Sequence, residues 1–408
     1  MLGINGGLIG LVRNPTNTSA PGVWLLREQE LKVRDRFWPG TEADIEYTIA
    51  NSGGEFQLRD TGTVNYDVDW GDGSAIETVT TNNKSHTYAS SGTYTVKLDI
   101  TGSYRPYWNS NAFGDQVLIV SIESGVDLGT ELLRAFAGMD ALVELTIPSA
   151  TTNNVTNMAS MFAGMNYLRS YPSMDTSSTT DANSMFSGYG NPTPAFTGTV
   201  PLYDFSEVTN ASQLFRDNQF ITSLPAFNLS KTTTLNNAFR GCTNLASMPA
   251  ITITSLCTNF NSTWAYTPFG TTFPIIDTSG GTNFAFTWLT SSSNSYSALT
   301  TFPALDFSNA TTFYAAWNNQ RLLANFPAGR FDSTGTLANN AFQSAFNNCA
   351  LTATSIANIL ASLVQNGASG ITLHIGGGTN AAYSTWSTDA QNDLATLQAD
   401  GWNVTYNS

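Results

Sequence analysis

Charge is scarce in this chain. Lys, Arg, Asp and Glu make up 11% of its 408 residues, where an ordinary soluble domain carries about 25%. Histidine is scarcer still: His86 and His374 are the whole supply, which all but excludes a histidine-built metal centre or a Ser-His-Asp triad. The cysteines, Cys242, Cys257 and Cys349, are too few and too scattered for a disulfide framework or a zinc site. No apolar run approaches the roughly 18 residues that a spanning helix needs, so no membrane segment is expected. The opening MLGINGGLIGLVRNPTN has neither a basic stretch before its apolar residues nor a cleavage-type ending, and does not read as a secretion signal. There is no Gly-rich phosphate loop followed by Lys and no nucleophile elbow. Neither a cofactor nor a metal is expected.

Hydroxyls, amides and glycine fill the space that charge leaves, a profile that suits extracellular or particle-borne β-rich proteins. The net charge is −14, which argues against nucleic-acid or anionic-membrane partners. It is unevenly spread. Residues 1–40 hold Arg13, Arg27, Lys32, Arg34 and Arg36 against Glu28, Glu30 and Asp35, a net of +2 that leaves −16 for the rest.

That basic segment reads as an arm of residues 1–40, punctuated by Pro15, Pro21 and Pro39 and too small to fold alone. Trp24, Leu25, Leu26, Phe37 and Trp38 would each cost roughly 1.5–3 kcal/mol if left in water. Together with Arg13 and Arg27 they are the candidate partner-docking residues.

Residues 41–128 read as β, with alternating or continuous apolar runs separated by Gly and Asn turns. Within them, YDVDWGDG followed by SHTYASSGTYTVKLDITG resembles a PKD-type, Ig-like β-sandwich over Tyr66 to Leu98. Gly71 and Gly73 suit its tight turn, and Trp70 and Tyr88 are natural core residues. Asp67, Asp69 and Asp72 are read mainly as turn and edge carboxylates, with calcium the competing reading. His86 is read as a hydrogen-bonded structural residue.

From 129 to 350 the chain repeats. Prolines fall at Pro148, Pro172, Pro201, Pro225, Pro249, Pro274, Pro303 and Pro327, in steps of 24, 29, 24, 24, 25, 29 and 24. Phe136, Phe162, Phe186, Phe215, Phe239, Trp264, Trp288 and Trp317 keep register with them, and both five-residue insertions lie between aromatic and proline, near 189–200 and 290–299. After each proline the alternation of PLYDFS, PAFNLS or PALDFS predicts a short strand, and the segment after that a short helix or 3₁₀ turn. One such unit buries too little apolar surface to offset the ordering of its backbone, so about eight coils must stack. VTNMASMFAGM and FRGCTNLASMP resemble BspA-type leucine-rich repeats of bacterial surface proteins. That resemblance implies a solenoid used for adhesion and surface display, without a common enzymatic activity. Residues 351–408 break the period: Ile356, Ile359, Leu360 and Leu363 have helical spacing, ITLHI and WNVTY read as strands, and the whole as an α/β cap.

The expected fold is therefore mainly β with α/β repeats: arm, sandwich, solenoid, cap. The aromatic column is read as a core ladder in preference to a sugar platform. Asp175, Asp204, Asn228, Asp277 and Asp306 run opposite in phase to the apolar residues and form the candidate ligand face, weighed against simple turn capping.

The opening residues resemble the starts of many tailed-phage virion proteins, particularly of marine cyanobacterial phages, which often run G-L-L-G-x-x-R-x-P-T-x-x-x-A-x-G-x-W-x-x-x-E-Q. Arg13, Pro15, Thr16, Ala20, Gly22, Trp24, Glu28 and Gln29 fit. The resemblance implies a non-enzymatic virion structural protein, capsid-decorating or tail-associated. Its partners would be other capsid or tail subunits and, outward, host-surface glycans or proteins. The alternatives are a bacterial surface adhesin and a polysaccharide-degrading enzyme with paired carboxylates.

Overall fold

The computed structural model describes residues 43–408, apart from 103, 110–112, 125, 166, 189–199 and 292–296. The candidate docking residues Arg13, Trp24, Leu25, Leu26, Arg27, Phe37 and Trp38, and most of both insertions, lie outside the described residues.

The fold is mainly β. Its largest sheet is built from β1 (Ile45–Gln57), β2 (Tyr66–Asp69), β3 (Glu77–Val79), β4 (Ser85–Ile100), β5 (Val117–Ile122) and β6 (Glu144–Thr146), in the order β3-β2-β4-β1-β5-β6. These strands are hydrogen-bonded in one continuous order. The register of β1 against β4 shifts between Ser52 and Gly54, where Gly53 and Gly54 have φ of 87° and 140°. A bulge of this kind lets two long strands bend together without parting. Ile45, Tyr47, Ile49, Tyr66, Val68, Trp70, Val96 and Leu98 are fully buried on the alternate positions.

The sheet runs directly into the repeats. β6 pairs in parallel with β5, Arg105 forms an ion pair with Glu131 at 2.9 Å, and the amide of Trp108 donates to the carbonyl of Ala135.

Between 130 and 350 the repeats stack by one recurring device. Around each column aromatic, alternate amides donate to the following repeat. Arg134, Phe136 and Gly138 bond the carbonyls of Ala159, Met161 and Ala163; Gln213, Phe215 and Asp217 bond those of Asn236, Ala238 and Arg240; Ala315, Trp317 and Asn319 bond those of Gln343, Ala345 and Asn347. The amides between them turn back three residues within their own repeat, as Ala135 to Leu132 and Ala316 to Phe313. Parallel bridges Glu131–Asn157–Asp181–Asn210–Thr234–Asn259–Asn283–Thr312 mark where each segment begins. At its solvent edge, Thr156, Thr180, Thr209, Thr233, Thr258, Thr282 and Thr311 each bond the preceding carbonyl of the column with both amide and hydroxyl.

This path requires a left-handed residue two before every column aromatic. Arg134, Ser160, Ser184, Gln213, Asn237, Ser262, Phe286, Ala315 and Ser344 all have φ between 51° and 59°. None is glycine, and each L-residue held there costs about 1–2 kcal/mol.

The strand expected after each proline is mostly absent as a ladder. Only β7 (Phe227–Asn228) and β8 (Ile251–Thr252) pair there among the described residues. The alternation of burial is nevertheless present: Tyr203, Phe205, Phe227, Leu229, Leu305 and Phe307 point inward, with Asp204, Asn228 and Asp306 exposed between them. Elsewhere the link between neighbours is a side chain: the hydroxyls of Thr176 and Thr278 bond the carbonyls of Asp204 and Asp306.

After the last repeat come a helix (Ala353–Asn366), β9 (Thr372–His374), a second helix (Thr388–Ala399) and β10 (Asn403–Thr405), which pairs in parallel with β9. Thr352 and Ser387 cap the helices, and Gly367 at φ 74° ends the first. The amide of Phe346 donates to His374, so the segment continues the stacking of the repeats.

Among the described residues the side chain of Ser344 makes no hydrogen bond, so its left-handed backbone can be tested in isolation. Ser344→Gly should raise stability by about 0.5–1 kcal/mol, while Ala357→Gly, inside the helix Ala353–Asn366, should cost about 1 kcal/mol. Midpoints of chemical denaturation check both, and equal losses would show that the repeat path is unstrained.

Candidate functional site

The outer column Asp175, Asp204, Asn228, Asp277 and Asp306 is half-buried at Asp175 and exposed at the others. Each side chain is already engaged close by. The Oδ1 atoms of Asp175, Asp204, Asn228, Asp277 and Asp306 accept from the amides of Ser177, Ser206, Ser230, Ser279 and Ser308, at 2.9 to 3.1 Å. The Ser177 and Ser279 hydroxyls add a second bond to Asp175 and Asp277. These are turns of the Asx type. At Asp204, bonding from Ser206 holds the carboxyl below its ordinary range. The face remains a row of outward oxygens, each tied to its own repeat.

A second row sits at the start of each stacking segment. Asn157, Asp181, Asn210, Asn259 and Asn283 accept through Oδ1 from the amide two residues on, and Thr234 and Thr312 do so through Oγ1. Periodicity of apolar residues does not reveal this row.

The aromatic column is core. Phe136, Phe162, Phe186, Phe215, Phe239, Trp264, Trp288 and Trp317 are at most 1% exposed. Trp288, Trp317 and Phe346 stack with centroids 5.2 and 4.7 Å apart. A buried ring cannot serve as a sugar platform. Beside it runs a second stack that the sequence reading missed, Phe260, Phe284, Phe313 and Phe342, with centroids 5.0, 5.6 and 5.1 Å apart.

In the first sheet, the acids of YDVDWGDG face separate donors. Asp67 accepts from the Thr78 hydroxyl, Asp69 from the Gly71 amide, and Asp72 from the Ser74 amide and from His86 Nε2 at 2.8 Å. His86 stacks on Trp70 at 4.7 Å, and the Tyr88 hydroxyl donates to the Trp70 carbonyl. A Cβ at Gly71 would lie 2.4 Å from the Thr95 carbonyl oxygen, so the turn admits only glycine. Bonding from Ser74 and from His86 pulls the Asp72 carboxyl down to about 2.

Asp60 is a deeply buried acid that the sequence reading did not single out. Burial raises its pKa, against bonds from the Asn83 amide, Tyr66 and Asn82. Burial pushes the Cys257 thiol up to about 12 and the Cys242 and Cys349 thiols higher; the latter two donate to the carbonyls of Phe215 and Trp317. Such thiols are poor nucleophiles. Among the described residues no group of three His, Cys, Asp or Glu side chains is placed to hold a metal, and no helix is long and apolar enough to cross a membrane.

A shallow cavity of about 220 Å³ lies between the last repeats and the helix Ala353–Asn366, lined in part by Phe302, Asn325, Phe326, Thr352 and Asn358. The Asn358 amide in its wall is already bonded to the Phe326 carbonyl.

Residues 39–105 match a family model described as the PKD domain, and residues 130–251 match one described as Mycoplasma protein of unknown function, DUF285. No curated protein and no solved structure matches the chain. The first match supports a PKD-like β domain. The second spans the stacking segments of Phe136 to Phe239 and is compatible with BspA-type repeats. Together the two segments suggest an extracellular, adhesion-type surface protein.

Two measurements follow from this geometry. The Asp72 value lies below the 3.8 of a free aspartate, so its bonding stabilises the sheet above about pH 4 and the contribution disappears as pH falls through about 2. Denaturation midpoints from pH 5 to pH 2 should therefore fall more steeply for the native chain than for Asp72→Asn; parallel curves would contradict this. On the outer column, Asp306→Ala should cost about 0.5–1.5 kcal/mol and Asp306→Asn almost nothing, as read by thermal unfolding.

Proposed function

We propose that this protein is a non-enzymatic virion structural protein, capsid-decorating or tail-associated, that displays a leucine-rich-repeat solenoid for adhesion to a host surface. In this reading the chain divides into an anchoring arm (1–40), a PKD-like β domain (41–128), a BspA-type solenoid of about eight coils (129–350) and a C-terminal cap (351–408). The arm binds other capsid or tail subunits through Arg13, Trp24, Leu25, Leu26, Arg27, Phe37 and Trp38. The solenoid faces outward on the particle and meets host glycans or proteins.

The observation that carries adhesion is the use of the polar side chains. The outer Asp and Asn residues close turns, the aromatics fill the core, and the ends of the stack are joined to the first sheet and to the C-terminal segment. What the repeats leave to solvent is a long lateral surface, the feature a binding scaffold needs. The virion assignment rests on the opening residues, whose Arg13, Pro15, Thr16 and Trp24 fit the phage pattern. A bacterial surface adhesin is the second reading, favoured by the two matched segments alone.

Quantitative mass spectrometry of purified virions is expected to find the full chain at a fixed copy number per particle. Deleting residues 1–40 should reduce incorporation to background, and incorporation at the native level would overturn the anchoring role. A glycan array should show binding to host glycans, and a reducing-sugar assay on host polysaccharides should show no release of new chain ends.

A further inference from the structure

Two arginines of adjacent repeats come together at one place. Arg216 and Arg240 occupy equivalent positions, each one residue after a column aromatic. The Asp217 amide bonds the Arg240 carbonyl, which sets the two repeats against each other. Arg216 Nε donates to Asp217 Oδ2 at 3.0 Å and its Nη1 to Gln213 Oε1 at 2.8 Å. Arg240 Nη1 lies 3.8 Å from the same carboxylate oxygen, beyond hydrogen-bonding distance.

The Arg240 guanidinium instead lies over the ring of Tyr266, 5.3 Å from its centroid, on the next repeat. Among the described residues no protein acceptor takes a hydrogen bond from it. Its position is nonetheless fixed by the aromatic face beneath it. The carboxylate is held by Arg216 and lies against Gly241, where a Cβ would come within 2.3 Å of Asp217 Oδ1. Lys84, Lys97 and Lys231 each face a glutamate of their own. Here two guanidiniums share one carboxylate, a local charge of +1 on a chain of net −14.

A planar guanidinium with open donors, held on an aromatic ring, matches the two oxygens of a carboxylate. Partners as densely charged as nucleic acid are opposed by the overall charge of the chain, so a ligand with at most one carboxylate per sugar is favoured. Beside the arginines, Gln213 and Asn237 present half-buried amides in the same row. Amides of this kind suit sugar hydroxyls.

We propose that Arg240, seated on Tyr266 and flanked by Arg216, binds the carboxylate of a uronate-containing glycan. Asp217 is the internal group with which that carboxylate competes. The inference rests on the adhesion reading above and names the ligand class of its surface.

The test uses the full chain immobilised on a sensor, with polygalacturonate, the same polymer with its carboxyl groups reduced, and intact host cells as analytes. Unfolding midpoints confirm that the variants fold. Native protein should bind polygalacturonate and not the reduced polymer. Arg240→Gln should weaken that binding about tenfold, Arg240→Lys should weaken it less, and Asp217→Asn should strengthen it. Equal binding by the native chain and Arg240→Gln, or equal affinity for the reduced polymer, overturns the site. Binding to cells with none to polygalacturonate also overturns the site while leaving the adhesion reading standing. Binding to neither cells nor any glycan overturns both.

Discussion

The structure depends on how the backbone of one repeat meets the next. In the segment around each column aromatic, every second amide leaves its own repeat and finds a carbonyl in the following one, while the amides between them close turns. A buried backbone donor must be paired, and this pattern pairs them in two directions at once. It also fixes where the aromatic lies. Phe162, Phe186 and Phe215 each donate across the interface from the amide beside the stacked ring, with centroids 5.5 and 5.1 Å apart. Stacking and hydrogen bonding therefore rise or fail together, and a single repeat has neither.

Because the repeats are joined through main chain, their outward side chains are released from structural duty to different degrees. The hydroxyls of Thr156 to Thr311 and the side chains of Asn157 to Thr312 still serve the path of the chain. So do Asp175, Asp204, Asn228, Asp277 and Asp306, each closing a turn. Positions one and two after the aromatic serve it least with their side chains, although the second is left-handed and donates its amide to the next repeat. They hold Ala137 and Gly138 in one repeat, Arg216 and Asp217 in another, Ala265 and Tyr266 in a third. Variation at constant backbone is what lets a repetitive scaffold carry a local, chemically distinct patch.

Much of this was legible in the sequence, and what was legible is what side chains encode. Proline and aromatic register marked the repeats, and helical spacing at Ile356, Ile359, Leu360 and Leu363 located the helix Ala353–Asn366. The inter-repeat bonding was hidden because it is made by main chain. Its left-handed residues two before the aromatic are Ser, Gln, Asn, Phe, Ala and Arg, so no glycine marks that position, whereas Gly138, Gly164 and Gly241 hold left-handed positions two after it. The second aromatic stack was hidden because earlier repeats hold Leu132, Met158, Ala182, Ala211 and Leu235 where later ones hold Phe260, Phe284, Phe313 and Phe342. The strand expected after each proline came from a true alternation of burial, but alternation records which side chains are covered, not whether neighbouring backbones lie close enough to pair. In the first sheet, the register shift of β1 against β4 between Ser52 and Gly54 is recorded by no apolar pattern.

The most direct test is hydrogen exchange on the intact chain, resolved to single amides. The amides of Phe162, Phe186, Phe215, Phe239, Trp264, Trp288 and Trp317 should exchange slowly and as one cooperative class, since each is bonded into the next repeat. Independent, fast exchange at these amides would contradict the account, because the repeats would then be held by side-chain packing alone.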